Sequence, residues 1–207
     1  RFDDGDSAYL SRTPGSASNR KTWTYSVWVK LSTVATTCRI LNGYSDSNNT
    51  TDLYTDGEYL TFTNTTGGGH TTNLVTSGFY RDPSAWYHIV LAFDSTQGTP
   101  ADRVNLYING EKVTAFGTET YPSLNDTTFV NNNSQQNIGR RGDGIQYFDG
   151  YLAEAHLIDG QQLAASSFGE TDSTTNQWKP IEYEGTYGLN GFYQKYANTE
   201  LANSFLD

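Results

Sequence analysis

Apolar and polar positions alternate along much of the chain, with the two-residue period of a half-buried β-strand. The clearest run spans residues 23–31, where Trp28 alone interrupts the otherwise polar second face. The side chains that share the apolar face are Trp23, Tyr25, Val27, Val29 and Leu31. This pattern predicts a strand with one face in a core.

Two more segments, 86–94 and 104–108, repeat the alternation. The second runs into Asn109-Gly110, a pair that favours a two-residue hairpin because both turn positions need positive φ. We therefore predict a hairpin whose return strand includes Val113.

Weaker alternation between clusters of Gly, Asn, Asp and Pro predicts many short strands. They cover about residues 2–10, 38–44, 51–55, 58–63, 72–77, 135–140, 147–158 and 188–195. Helical character is confined to 161–168. Such a series predicts an all-β fold, a two-sheet antiparallel jelly-roll sandwich. We expect residues 1–168 to form it, and 169–207 to be an extension that packs on the sandwich or leads to a further module.

Composition and charge argue against some classes of binding partner. The net charge of −10 and the lack of a basic stripe argue against nucleic-acid and anionic-membrane partners. No apolar run reaches the length of a membrane span, so no membrane insertion is expected. Cys38 is the only cysteine, which excludes an intrachain disulfide. The chain has no Met, which indicates a processed chain or part of a longer protein.

Five motifs follow one another along the chain. They are Phe2-Asp3-Asp4-Gly5-Asp6-Ser7-Ala8-Tyr9-Leu10, the Trp-Val-Lys strand at 23–30, Trp86-Tyr87-His88-Ile89-Val90, Leu106-Tyr107-Ile108-Asn109-Gly110 and Phe148-Asp149-Gly150-Tyr151-Leu152-Ala153-Glu154. In this order they resemble the concanavalin A-like lectin/glucanase superfamily, in its laminin G-like and pentraxin-like branch. The resemblance covers about residues 2–168 and implies the jelly-roll fold.

The tail, from Trp178-Lys179-Pro180 to Tyr193, resembles versions of this domain found in virion proteins of tailed bacteriophages. That resemblance implies a location outside the cell or on a virion surface. It also implies other virion or surface proteins, and further copies of this chain, as partners.

Glycoside hydrolysis is the enzymatic alternative, and it needs two carboxylates on either side of one bond. The Glu-x-Asp-x-x-Glu strand of the family's glucanases is absent. The nearest pairs, Glu182/Glu184 and Asp56/Glu58, lie among turn residues. We therefore expect no catalytic residues and no enzymatic activity.

Calcium is the candidate metal, although no cofactor is required. Asp3, Asp4 and Asp6 crowd the first turn, and hard cations bind carboxylates and carbonyls of loops. The resemblance places Asp149 and Glu154 on a strand near that turn, and some relatives bind calcium. The alternative is a solvated acidic turn, with Glu154 in a structural hydrogen bond.

Sugar binding requires an aromatic surface with polar groups at its edge. Trp28 and Tyr107 stand on otherwise polar strand faces, and three tyrosines, Tyr44, Tyr54 and Tyr80, lie near loop ends beside Asn and Asp. As a set they predict a surface for a glycan or cell-surface polysaccharide. Packing is the alternative role of each.

Three functions therefore follow from the sequence. The first is a non-catalytic, extracellular or virion-displayed adhesion module that binds carbohydrate. The second is a capsid decoration or fibre domain whose contacts are mainly with proteins. The third is a glycoside hydrolase.

Overall fold

The computed structural model describes residues 1–34 and 36–196. Within them the chain forms two large antiparallel sheets that pack face to face, which confirms the predicted all-β sandwich. No helix in this part of the chain is long and apolar enough to cross a membrane.

One sheet has seven strands in the order β1-β11-β3-β4-β5-β6-β10. Their bounds are β1 Leu10–Arg12, β3 Cys38–Asp46, β4 Asn49–Asp56, β5 Tyr59–Thr66, β6 Gly69–Thr76, β10 Phe116–Thr120 and β11 Gln135–Ile138.

The other sheet has six strands in the order β15-β12-β2-β7-β8-β9. Their bounds are β2 Thr22–Leu31, β7 Tyr87–Asp94, β8 Val104–Ile108, β9 Glu111–Lys112, β12 Gly150–Asp159 and β15 Phe192–Gln194. The turn between β8 and β9 has φ of 50° at Asn109 and 87° at Gly110, as the hairpin prediction requires.

The core lies between the sheets and contains the apolar face predicted from the alternation in β2. Trp23 is at its centre, fully buried, and its ring stacks on Phe93 at 5.4 Å. The indole Nε1 donates to Oγ1 of Thr128 at 2.9 Å, so this buried polar atom has a partner. Trp28, which interrupts the alternation, lies on the outer face and is only half-buried.

Residues 169–196 pack along the outer face and edge of the six-stranded sheet; we call this segment the C-terminal arm. It contains a short hairpin, β13 Gly169–Thr171 with β14 Trp178–Pro180, and then β15, which pairs with the edge of β12. Residues 197–207 of the predicted extension lie outside the described residues.

The strand predicted over 2–10 is wrong for most of its length. Phe2 makes an isolated bridge to Gly150 and Leu10 begins β1, but residues 4–7 form a turn. A carboxylate oxygen of Asp3 accepts from the backbone N–H of Gly5, the local bond by which Asp favours turns over strands. In the segment predicted to be helical, the structure has one 3₁₀ turn, Ala165–Ser167.

Candidate functional site

The outer face of the six-stranded sheet carries an aromatic stack that begins at Trp28. In the strand register Trp28 lies opposite His88 on β7 and Ala153 on β12. The rings of Trp28 and His88 stack at 4.9 Å with an angle of 18° between their planes. Trp178 of the C-terminal arm lies beside His88, with its indole Nε1 2.8 Å from Nδ1 of the histidine and the two ring centroids 6.0 Å apart. The arm is therefore fixed to the sheet by side chains.

A β-bulge in β12 changes which side chains reach this outer face. Ala153 pairs with Trp28 but His156 pairs with Ser26, so β12 contains one extra residue there. Glu154 in the bulge has φ of 49°, a left-handed conformation that is unfavourable for its residue type. Ala153 and Glu154 consequently lie on the same outer surface although they are consecutive. Bulges commonly redirect a side chain in this way next to binding sites.

A depression of about 240 Å³ lies over this bulge. Trp28 and Trp86 form its aromatic wall, and Ala153, Glu154 and Pro180 complete the lining. Trp86 precedes β7 and is 40% exposed, so part of its ring is available to a ligand.

A second depression, of about 570 Å³, adjoins the first, because Glu154 and Pro180 line both. The arm supplies most of its lining, which includes Glu182, Tyr183, Tyr187, Tyr193 and Lys195. We call the two depressions together the aromatic groove.

Glu154 is positioned at the middle of the aromatic groove by the arm. The hydroxyl of Tyr193 donates a hydrogen bond to its Oε2. The ring of Tyr193 in turn stacks on His156 at 4.4 Å. The hydroxyl of Tyr187 lies 3.0 Å from Nδ1 of the same histidine. The carboxylate is thus held by a chain of ring contacts and hydrogen bonds.

Burial sets the charge of the aromatic groups around the groove. It lowers the pKa of both His88 and His156 to about 4, so both rings are neutral at pH 7. Burial also raises the pKa of Tyr187 to about 12. The formal charges that line the groove are therefore those of Glu154, Glu182 and Lys195.

The aromatic groove can bind a ligand through its aromatic rings and through the carboxylate beside them. Partly exposed Trp86 and Tyr193 offer apolar faces, and Glu154 offers hydrogen-bond acceptors between them. Sugars have an apolar ring face and a rim of hydroxyl donors, so they fit such a lining.

The five aromatic residues proposed from the sequence do not form one surface. Trp28 lines the aromatic groove, whereas Tyr107 packs against a small cluster beneath the arm. Tyr54 lines a groove on the outer face of the other sheet, and Tyr44 lies close to Gly142 at that sheet's β3–β11 side. Tyr80 packs against the core, edge-on to Tyr87.

The proposed metal ligands divide as well. Ligand oxygens of Asp3, Asp4 and Asp149 lie within 4.8 Å of one another, a donor set that suits a hard cation such as calcium. Two of the three carboxylates already have partners, since Asp3 pairs with Arg1 at 2.7 Å and Asp149 accepts from Thr33 at 2.8 Å.

Asp6 and Glu154 are not in that carboxylate group. Glu154 instead lies in the aromatic groove. Calcium therefore remains an expectation for Asp3, Asp4 and Asp149.

Sequence reasoning missed Trp86 and the aromatic residues of the arm as parts of a site. One available signal was the density of aromatic residues between 178 and 193: Trp178, Tyr183, Tyr187, Phe192 and Tyr193. No local pattern indicates that Trp178 meets His88, since that contact joins residues 90 positions apart.

An antiparallel sandwich with a groove on an outer sheet face is typical of lectin-like domains. The sequence matches the family model described as the concanavalin A-like lectin/glucanases superfamily over residues 3–166, most of the chain. The chain belongs to this family, in its laminin G-like branch, as its motifs predict. A comparison with curated proteins found no match.

Solved structures with the same fold are distant in sequence. A native heptameric SAP-like pentraxin from Limulus polyphemus is 14% identical, with a TM-score of 0.54 over 90% of this chain and 85% of its own. Domain 4 of AbnA, an extracellular GH43 arabinanase of Geobacillus stearothermophilus solved with arabinotriose, is 19% identical, with a TM-score of 0.52 over 75% of this chain and 68% of its own. The CBM40 of a Ruminococcus gnavus IT-sialidase is 14% identical, with a TM-score of 0.50 over 76% and 95%.

Proposed function

We propose that this chain is a non-catalytic carbohydrate-binding module, displayed outside the cell or on a virion, and that its ligand lies in the aromatic groove. One observation carries the proposal: the β12 bulge and the arm place Glu154 between partly exposed Trp86 and Tyr193. The aromatic faces would pack on sugar rings while the carboxylate accepts hydrogen bonds from hydroxyls.

The solved arabinanase domain and sialidase CBM40 support this proposal only in fold, since their identities are below 20%. The virion setting rests on the resemblance of the tail to phage proteins.

The test is a glycan-array screen of the chain, run once with calcium chloride and once with EDTA. We expect a defined glycan to bind. An equal signal in EDTA would assign the contacts to side chains alone, and its loss would assign a metal. A silent array with folded protein would contradict the proposal and favour a structural module that contacts proteins.

Isothermal titration with the glycan found on the array then locates the site. Trp86→Ala and Glu154→Gln should each weaken binding roughly tenfold or more, since a factor of ten corresponds to about 1.4 kcal/mol. The matched control is Leu189→Ala, because Leu189 is 72% exposed and does not line the aromatic groove. Wild-type affinity in the Trp86 variant would place the ligand elsewhere.

Glycoside hydrolysis needs a separate readout, because Glu154 and Glu182 line the same depression. Chromatography of the bound glycan after prolonged incubation should show intact ligand. Release of shorter sugars that is lost in Glu154→Gln would replace the binding proposal with a hydrolase.

A further inference from the structure

A second groove lies on the opposite side of the molecule, on the outer face of the seven-stranded sheet. It has a volume of about 330 Å³, and apart from Gly68 each residue that lines it has a polar group in its side chain. We call it the polar groove. Volumes of this size accommodate a small ligand. Nothing in the proposed function uses it.

Arg39 at the base of the polar groove is a buried cation with unused hydrogen-bonding capacity. Its side chain is only 9% exposed, and its guanidinium carbon lies 3.8 Å from the centre of the Tyr54 ring. Its Nε is 3.1 Å from Oδ1 of Asp52, an ion-pair distance without the alignment of a hydrogen bond. Its Nη1 is buried and has no hydrogen-bond partner. Buried donors without partners are rare, so this one requires an explanation.

Asp52, the ion-pair partner of Arg39, is itself held in place by hydrogen bonds to both of its oxygens. Oδ1 accepts from Nδ2 of Asn42 at 2.7 Å, and Oδ2 accepts from Oγ1 of Thr50 at 2.7 Å. This buried network fixes the carboxylate and, through the ion pair, the position of Arg39. The site is therefore preorganised for an acceptor supplied from outside.

Arg141 brings a second guanidinium to the polar groove. Its Nη2 donates to the backbone oxygen of Ser47 at 3.2 Å, and its Nη1 lies 3.4 Å from Oδ2 of Asp143. Its Nε is buried without a hydrogen-bond partner, as Nη1 of Arg39 is. Two arginines, each with a buried donor that has no hydrogen-bond partner, thus line one groove, although the net charge of the chain is −10.

The rim of the polar groove offers further hydrogen-bonding groups. His70 is exposed there, and its Nδ1 lies 2.9 Å from Oγ1 of Thr65. Thr63 on β5 also lines the groove. Such groups suit hydroxyls, which both donate and accept.

We propose that the polar groove binds an acidic saccharide, with the carboxylate of the sugar held by Arg39 and Arg141 and its hydroxyls at Thr63, Thr65 and His70. A guanidinium presents planar, paired N–H donors that match a carboxylate. This site lies on the other sheet from the aromatic groove, so the proposal does not depend on the proposed function and is tested separately.

The test is NMR titration of the ¹⁵N-labelled chain with matched sugars. The acidic probes are D-glucuronate, D-galacturonate and N-acetylneuraminate, and the neutral probes are D-glucose and D-galactose. We expect at least one acidic sugar to shift the amide signals of Thr63 and Thr65 saturably, with its neutral counterpart at least tenfold weaker. Inorganic phosphate is a further arm, since binding of phosphate as tight as that of every acidic sugar would overturn the saccharide assignment.

Substitutions distinguish the loss of the arginine contacts from a loss of folding. Arg39→Lys keeps the charge but loses the planar donors, and we expect it to weaken the acidic sugar at least tenfold. If this variant does not fold, the same titration of Arg141→Lys and His70→Ala tests the site, because these side chains lie nearer the surface. The control Leu189→Ala, at an exposed residue that lines neither groove, should bind the acidic sugar as the wild type does. Absence of binding by all three acidic sugars, or wild-type affinity in the arginine variants, would overturn the proposal.

Discussion

The indole Nε1 of Trp178 donates a 2.8 Å hydrogen bond to Nδ1 of His88, a residue 90 positions earlier in the chain. Nδ1 therefore acts as the acceptor, so the neutral ring has its proton on Nε2, which lies 2.9 Å from Oγ of Ser26. Protonation of Nδ1 would leave two donors facing each other. Attachment of the C-terminal arm to the sheet thus depends on a neutral His88.

A fall in pH from about 6.5 to 4 should consequently destabilise the protein. Burial, with a smaller contribution from His156, lowers the pKa of His88 to about 4 from 6.5, and burial lowers that of His156 likewise. The unfolded chain binds these protons first, so the stabilisation is fully present above pH 6.5 and is lost as the pH falls towards 4. The loss is about 1.4 kcal/mol per pH unit for each histidine within that window.

Urea unfolding followed by far-UV circular dichroism at pH 7, 5.5 and 4 measures this loss. His88→Gln should reduce the dependence between pH 6.5 and 4 to roughly half, because His156 still contributes. His70→Gln is the control, because His70 is exposed, and it should keep the steep dependence of the wild type. Equal slopes in the wild type and the His88 variant would contradict the assignment.

The β8–β9 hairpin also supports the arm. A Cβ added to Gly110 would lie 2.7 Å from ring atoms of Trp178, and the residue has φ of 87°. Gly110→Ala should therefore incur both backbone strain and displacement of Trp178. We expect a loss of about 2 kcal/mol of unfolding free energy and faster tryptic cleavage within 169–196.

Gly57→Ala is the matched control for that substitution. Gly57 has a similar positive φ of 57°, but nothing lies within 4 Å of an added Cβ. It should show the strain alone, about 1 kcal/mol, with proteolysis of the arm unchanged. Equal cleavage in both variants would show that Trp178 does not anchor the arm.

Local patterns predicted those parts of the fold that depend on local physics. The apolar face of 23–31 and the Asn109-Gly110 turn follow from strand period and positive φ, and both agree with the structure. The segment 2–10 shows the limit of this reasoning. Its apolar ends suggested a strand, but the side-chain bond from Asp3 to the Gly5 backbone makes a turn there.

The site was much less predictable than the fold. Trp28 was recognisable because it interrupts a polar face, but the residues that line the groove with it, such as Trp86, Glu154 and Pro180, lie far along the sequence. The bulge that turns Glu154 outward depends on its register against β2, which no alternation within β12 reveals. The position of Arg39 was equally hidden from the local pattern, since its stacking on Tyr54 depends on the pairing of β3 with β4.

A close backbone approach fixes the loop that covers the β3 end of the core. A Cβ on Gly43 would lie 2.5 Å from the backbone carbon of Phe129. Gly43→Ala must move that loop, and we expect it to lose roughly 2 kcal/mol of unfolding free energy or more. Gly98→Ala meets nothing within 4 Å and should remain within about 0.5 kcal/mol of the wild type in the same urea titration. A silent Gly43 variant would contradict the packing.

The Arg39–Asp52 pair gives the sharpest stability prediction, because both side chains are buried, with exposures of 9% and 3%. Asp52→Asn removes the negative charge and leaves the guanidinium in place. We expect a loss of about 3–5 kcal/mol, the usual cost of leaving one member of a buried pair without its partner. Urea unfolding at pH 7 measures it.

The exposed pair Arg81–Glu58 is the control for this prediction. Its atoms are 3.2 Å apart, close to the distance in the buried pair, but its side chains are 62% and 39% exposed. Glu58→Gln should therefore cost less than about 1 kcal/mol, because water screens the charges. The double variant Asp52→Asn with Arg39→Met should recover part of the loss, since no buried cation then remains. If Asp52→Asn alone were as mild as Glu58→Gln, Arg39 would be solvated, and its unused donors would no longer argue for a ligand in the polar groove.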